Sequence, residues 1–471
     1  MKKTYFIFCL IATCSKAFSL IHTVPGNFPT IQAAINASVN GDTVVAAPGT
    51  YYENINFRGK NIVVTSQYYL NKNKTFISST IINGSNPAFA DTASCVIFNH
   101  GETAAAVLQG FTITGGKGSR WADIHGAGIF REGGGILIEQ SSPTILHNFI
   151  SANTVTNTTG VVATGGGGIR AGDGNPAICS NAILFNQAGY GPGIVLNYTG
   201  GRITNNVIAS NTGGQKFNGG SGIWAIDNYS AATIVIENNT IVNNTSSLAG
   251  GTGGVLIWGC NNVALSNNII YGNSPATQVK NINAILAISY SNIQGGFSGL
   301  GNINQDPLFG PNNYYLSNGS PCIDAGNQSM VYYDMEDPSN LGNALFPSLA
   351  LLNNDMGAYG GPCAGDLPTF STLGLLTTLP ENSLEKSLDG LYPNPLISAS
   401  LLKFKLKVAQ TLTIELFDIS GRKVLSLADD FMEQGAQEVI VHRSGLSCGT
   451  YFLSVEGSAG LKETLKFVIA E

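Results

Sequence analysis

The sequence predicts an all-β protein in two parts: a parallel β-helix with three short strands per coil, then a small β-sandwich. Three observations carry that prediction. The phrase Asn-x-(Ile/Val)-x-x-Asn recurs five times, starting at Asn148, Asn181, Asn206, Asn239 and Asn268, with spacings of 33, 25, 33 and 29 residues. A Gly-rich stretch and a short apolar strand precede each phrase: GGILIE, GGIRA, PGIVLN, SGIWAI and GGVLIW. Charge also changes abruptly near residue 364, with 27 charged residues in 20–363 and 22 in the much shorter 364–471. Two domains of different build meet there.

Taken in order, residues 1–19 read as a signal peptide. Lys2 and Lys3 make the basic start, Tyr5 to Thr13 the apolar stretch, and Ala17-Phe18-Ser19 the cleavage site. A lipoprotein acylated at Cys14 is the alternative. Residues 20–363 form the rod. Thr30 is positioned to cap a short helix whose Ile31, Ala34 and Ile35 cover the open N-terminal end. Coils begin at Asp42–Val45 and Asn61–Val64. In the repeats, Ile136, Ile169, Ile194, Ile223 and Val255 point inward, and Asn side chains stack from coil to coil at one corner. The stretch from Tyr314 to Cys363 lacks the period and is expected to close the C-terminal end. Residues 364–387 read as a linker. Residues 388–471 carry six or seven short alternating strands with turn signals between them, the pattern of a β-sandwich.

Composition excludes several classes of function. Charged residues make up 11% of the chain and the net charge is −6, so there is no basic excess to neutralise nucleic-acid phosphates. Beyond the signal peptide no stretch reaches the length of a membrane span, so the mature chain carries no transmembrane segment. Export permits disulfides, and Cys322 and Cys363, in one terminal segment, are the expected pair. No Cys or His cluster suggests zinc, and no metal or other cofactor is expected. Calcium on Asp324, Asp334, Glu336, Asp337 and Asp355 is the alternative, although Asp324 and Asp355 suit turn amides.

Two constellations are candidates for ligand contact. The loop 115–132 holds Lys117, Arg120, Trp121, Asp123, His125, Arg131 and Glu132 and lengthens one coil to 38 residues against a mean of 30. It reads either as a solvated insertion or as a ligand contact. The second comes from strand alternation. Residues after the inward set (Leu137, Arg170, Val195, Trp224, Leu256) face outward, and two further on lie Glu139, Gly172, Asn197, Ile226 and Trp258. Trp224 and Trp258 are thus expected on one exposed face, able to stack on sugar rings, with packing beneath the Gly-rich loops as the alternative.

The opening VPGNFPTIQAAINASVNGDTVVAAPGTYYENI resembles right-handed parallel β-helix proteins of the pectin-lyase-like superfamily. The phrases QDPLF, YYLSNGSPCIDAG and NNDMGAYGG resemble the closing motif of exported bacterial β-helix proteins. Gly49-Thr50-Tyr51-Tyr52-Glu53 matches a pectin methylesterase phrase, but the Asp-bearing phrases of that branch are missing, as are those of the polygalacturonases and the calcium-dependent pectate lyases. The C-terminal domain resembles the type IX secretion sorting domain. The matching phrases are Leu391-Tyr392-Pro393-Asn394-Pro395, Phe417 to Val424 with Gly421, Leu446 to Leu453 with Gly449 and Tyr451, and Lys466-Phe467-Val468. That resemblance implies a Bacteroidetes-type envelope, the type IX machinery as partner, and delivery to the outer surface of the cell envelope or beyond it. It departs at the terminus, which is Ala470-Glu471 where a Lys is common.

The expected function is therefore an exported, non-catalytic β-helix module that binds a polysaccharide or serves adhesion. The alternatives are a polysaccharide lyase or glycoside hydrolase with an unfamiliar site near Arg120–Glu132 or Arg170, and a purely structural surface element.

Overall fold

The computed structural model describes residues 19–471 apart from 229–231, 311–312, 347–350, 365–366, 369–387, 393–395, 397–398, 407–408, 419–421, 444, 458–461 and 470–471. The expected signal peptide lies outside the described residues, save Ser19, and so does most of the expected linker. The chain divides into two compact units, residues 1–375 and 376–471.

The first unit is a right-handed parallel β-helix built on three long sheets of ten, nine and eight strands. Each coil contributes one strand to each sheet, and pairing is in register. Ile136, Ile169, Ile194, Ile223 and Val255 are successive partners in the eight-stranded sheet. Ile150, Ile183, Ile208, Ile241 and Ile270 are partners in the nine-stranded sheet. All are fully buried and belong to one continuous apolar core. Truncating one such Ile to Ala costs about 2–5 kcal/mol, because neighbouring coils cannot collapse into the gap.

The repeated Asn phrase builds two buried ladders, not one. Asn148, Asn181, Asn206, Asn239 and Asn268 are linked Nδ2 to Oδ1 at 3.2, 3.1, 3.0 and 3.1 Å. The last Asn of each phrase forms the second ladder, Asn153, Asn186, Asn211, Asn244 and Asn273, at 2.9, 3.0, 2.9 and 2.9 Å. Left-handed backbone falls one residue before each ladder Asn, as at Ser180, Asn205 and Asn238, with φ of 52°, 54° and 49°. The ladder amides thus sit after the bend, turned inward to bond backbone carbonyls that the bend leaves without partners. The Gly-rich phrase has a steric cause: a Cβ on Gly168 would meet the Gly193 carbonyl oxygen at 2.7 Å.

Helix Ile31–Ala37 packs Ile31, Ala34 and Ile35 into the core at the N-terminal end. Thr30 caps it by accepting from Ala33 N at 3.1 Å. The carboxylate of Glu53 accepts from the N–H groups of Ile31 and Gln32, both at 2.9 Å. In this chain the Gly-Thr-Tyr-Tyr-Glu phrase therefore secures the helical cap.

The closing segment does more than end the rod. Leu316, Cys322, Met356, Ala358 and Tyr359 pack on outward residues of four coils, Ala182, Leu184, Val207, Ala209, Val242 and Ile269. Asn205 and Asn238 donate to backbone carbonyls of Ala358 and Asp355 at 3.1 and 3.0 Å. The segment lies along the flank because the outward face of these strands is apolar and would otherwise be wet.

The second unit is an antiparallel sandwich of a three-stranded sheet (Leu388–Tyr392, Ala399–Leu406, Gly435–His442) and a four-stranded sheet (Lys423–Met432, Gln410–Asp418, Gly449–Gly457, Lys462–Ile469). Alternation buries Leu412, Ile414 and Leu416 of one strand, and they share a core with Leu402, Phe404, Leu453, Val455 and Phe467.

Candidate functional site

The eight-stranded sheet has two outward columns. The first holds Leu137, Arg170, Val195, Trp224 and Leu256. The second, at the strand ends, holds Glu139, Gly172, Asn197, Ile226 and Trp258. The first column is covered. The loop 115–132 forms two antiparallel strands, Gly118–Ala122 and Ile129–Glu132, in a small side sheet with Thr92–Ala93 and Thr164–Gly165. The two constellations expected separately are thus one assembly.

Trp224 is not exposed. Only 4% of its surface is accessible, and it packs with Phe130, Ala163, Tyr190, Val195 and Leu256. Its Nε1 donates to the Phe217 carbonyl at 2.9 Å, which satisfies the indole where water is excluded. Arg170, also expected to face solvent, is fully buried. Its guanidinium lies 3.8 Å from the Trp121 ring centroid and pairs with Glu132 Oε2 at 3.1 Å and with Glu139. Glu132 is equally buried and accepts from Trp121 Nε1 at 2.7 Å and from the Tyr190 hydroxyl. Burial pushes the Glu132 pKa up, and Arg170 opposes that shift. The Arg170 cation is consumed internally and anchors the side sheet.

The second column remains accessible. Trp258, Glu139, Asn197 and Ile226 are half-buried. Beside it runs the corner that needs left-handed backbone, occupied by Asp173, Tyr198 and Asp227 with φ of 50°, 50° and 39°. His125, exposed on the loop between the side strands, stacks on Tyr198 with ring centroids 3.8 Å apart and contacts Asp173 Oδ1 through Nε2 at 2.8 Å. Asp123 is buried below it, with Oδ2 accepting from Ala127 N at 2.9 Å. Asp123 Oδ1 and Glu139 Oε1 have no hydrogen-bond partner among the described residues. Burial raises the pKa of Asp227. Burial, then the carboxylates of Asp227, Asp123 and Asp173, raise that of Tyr198. Arg120 turns away, its guanidinium reaching the Thr159 and Gly160 carbonyls at 3.4 and 3.3 Å.

Asp173, Tyr198 and Asp227 escaped the sequence reading. The available signal was their place: each follows the fourth residue of its coil's outward strand. A further cleft of about 390 Å³ lies at the N-terminal end of the same sheet, where Asn56 and Ile97 are paired. Exposed Tyr52 and Phe89 flank it.

One other expectation is corrected. Cys322 and Cys363 are not bonded to each other. Cys322 is buried and accepts from Asn292 Nδ2 at 3.1 Å, whereas Cys363 is exposed. Among the described residues no group of three His, Cys, Asp or Glu side chains could hold a metal ion. Asp334 and Asp355 are spent on backbone: Asp334 Oδ1 accepts from Asp355 N at 3.2 Å and from Gly361 N at 2.5 Å, and Asp355 Oδ1 accepts from Asp324 N at 2.7 Å.

In the second unit, Tyr451 donates to the Ser447 carbonyl at 2.9 Å and stacks on Phe467 with centroids 6.0 Å apart. Tyr392 ends the first strand and Gly449 begins the sixth. Pro393, Asn394, Pro395 and Gly421 lie outside the described residues. Residues 390–470 match the secretion system C-terminal sorting domain family. This segment is a type IX sorting domain. The sorting domain directs the protein to the cell surface or the extracellular space. No described helix is long and apolar enough to cross a membrane. No curated protein matches the chain. Among solved structures, the chain is similar to a pectin methylesterase variant in complex with a hexasaccharide (8% identity, TM-score 0.30, 61% of this chain and 92% of that one). It is also similar to the enzymatically active domain of bacteriophage CBA120 tailspike protein 4 (12% identity, TM-score 0.19, 92% of this chain and 62% of that one).

Proposed function

We propose that the rod is an exported glycan-binding module that holds a neutral polysaccharide along the second outward column. The observation that carries this reading is the His125–Tyr198 stack beside Asp173, one sheet edge shared with half-buried Trp258. Aromatic faces suit sugar C–H surfaces, and carboxylates accept from hydroxyls. Asp123, Glu139, Asp173 and Asp227 surround the site, and Arg170, the cation paired with Glu139, is buried. That charge balance favours neutral sugars and repels uronates. The expected result by calorimetry is binding to a neutral polysaccharide, weakened at least about tenfold in Trp258→Ala and Tyr198→Ala. Tight binding to polyuronates alone, or affinity unchanged in both variants, defeats the reading.

A second reading rests on Asp123 Oδ1 and Glu139 Oε1, which have no hydrogen-bond partner among the described residues. Two such carboxyls can serve as acid and base in glycoside hydrolysis. Release of reducing ends, abolished in Asp123→Asn and Glu139→Gln with binding retained, would establish it.

A further inference from the structure

A concavity of about 410 Å³ on the flank of the rod is lined by Leu146, His147, Cys179, Ser180, Met335, Leu345 and Cys363. Cys179 ends the strand Ala177–Cys179, and Cys363 arrives from the closing segment. Ser180 Oγ donates to the Cys363 carbonyl at 3.1 Å, so the two backbones meet one residue from Cys179. Cys179 is half-buried and accepts from Thr204 Oγ1 at 3.2 Å. Burial, and after it the neighbouring Cys363, push the Cys179 thiol pKa up. Disulfides require backbones at this kind of approach. The remaining cysteines of the rod are placed differently: Cys95, Cys260 and Cys322 are buried.

We propose that Cys179 and Cys363 become a disulfide after export, stapling the closing segment to the flank. The oxidant is a disulfide of a thiol oxidoreductase in the cell envelope. The exposed Cys363 thiolate attacks that disulfide, forms a mixed disulfide and releases one oxidant thiolate. The Cys179 thiolate then attacks Cys363 Sγ, forming the Sγ–Sγ bond and releasing the second. The two cysteines lose two protons and two electrons, and the oxidant leaves as a dithiol.

The test is alkylation of the full chain, recovered from an oxidising periplasm or the medium, under denaturing conditions without reductant. Non-reducing digestion and mass spectrometry follow. The expected result is a linked peptide pair containing Cys179 and Cys363, lighter by two hydrogens than the separate peptides. It separates on reduction, is lost in Cys179→Ser and Cys363→Ser, and is kept in Cys322→Ser. Full alkylation of Cys179 and Cys363 in the wild type, or linkage of either to another cysteine, overturns the proposal.

Discussion

At the scale of single residues, the rod depends on polar groups that are buried and paired. Asn206 Nδ2 donates to Ile178 O, Thr204 O and Asn239 Oδ1, while its Oδ1 accepts from Asn181. Asn206→Ala strands several buried groups at once, and we expect a loss of about 3 kcal/mol in denaturant unfolding. Arg170 belongs to the same class. Arg170→Met leaves Glu132 and Glu139 without their cation and should cost about 3–5 kcal/mol, whereas adding Glu132→Gln should recover part of it. Asp334 supplies the pH dependence. Burial, then the charge of Asp355, raises its pKa to about 8. A carboxyl with a raised folded pKa gives stability that is present below its unfolded pKa and is lost as pH rises through the folded value. The thermal midpoint of the rod should therefore fall between about pH 4 and pH 8. Asp334→Asn, which keeps an oxygen acceptor for Gly361 N, should flatten that fall.

At the scale of elements, period was legible and cover was not. Inward Ile positions and Asn stacking follow from local alternation, and the structure bears both out. Trp224 and Arg170 obey the same alternation and do point away from the core. They are nevertheless buried: strands from the loop 115–132 return over Arg170, and no local pattern encodes that return. Tyr190 and Phe217 pack on Trp224, which realises the alternative of packing beneath the Gly-rich loops. The close approach of Gly-rich corners gives an element-level prediction. Gly168→Ala should lower the thermal midpoint by an amount equivalent to about 1–3 kcal/mol, since the Gly193 carbonyl and Ile183 leave no room for a methyl group.

At the scale of the whole molecule, the two units divide their tasks. Residues 390–470 address the chain to type IX secretion, and the rod is what they deliver. Deleting 390–470 should leave the rod in the periplasm, as cell fractionation would show. The rod's retained thermal transition would show that its core does not need the tail. The opposite result, a rod delivered to the surface without its tail, would remove the sorting role.

The sequence by itself determined the stacked rod, its helical cap and its export tail. These rest on repeats, alternation and short contiguous phrases, all local in the chain. Only the tertiary structure decided which outward residues meet solvent. It folded the charged loop 115–132 onto Arg170, packed Tyr190 and Phe217 on Trp224, left the Glu139-to-Trp258 column open, laid the closing segment along the flank and set Cys363 beside Cys179. The physical reason is that burial of an outward side chain depends on segments distant in sequence, whereas burial of an inward one follows from the coil it belongs to.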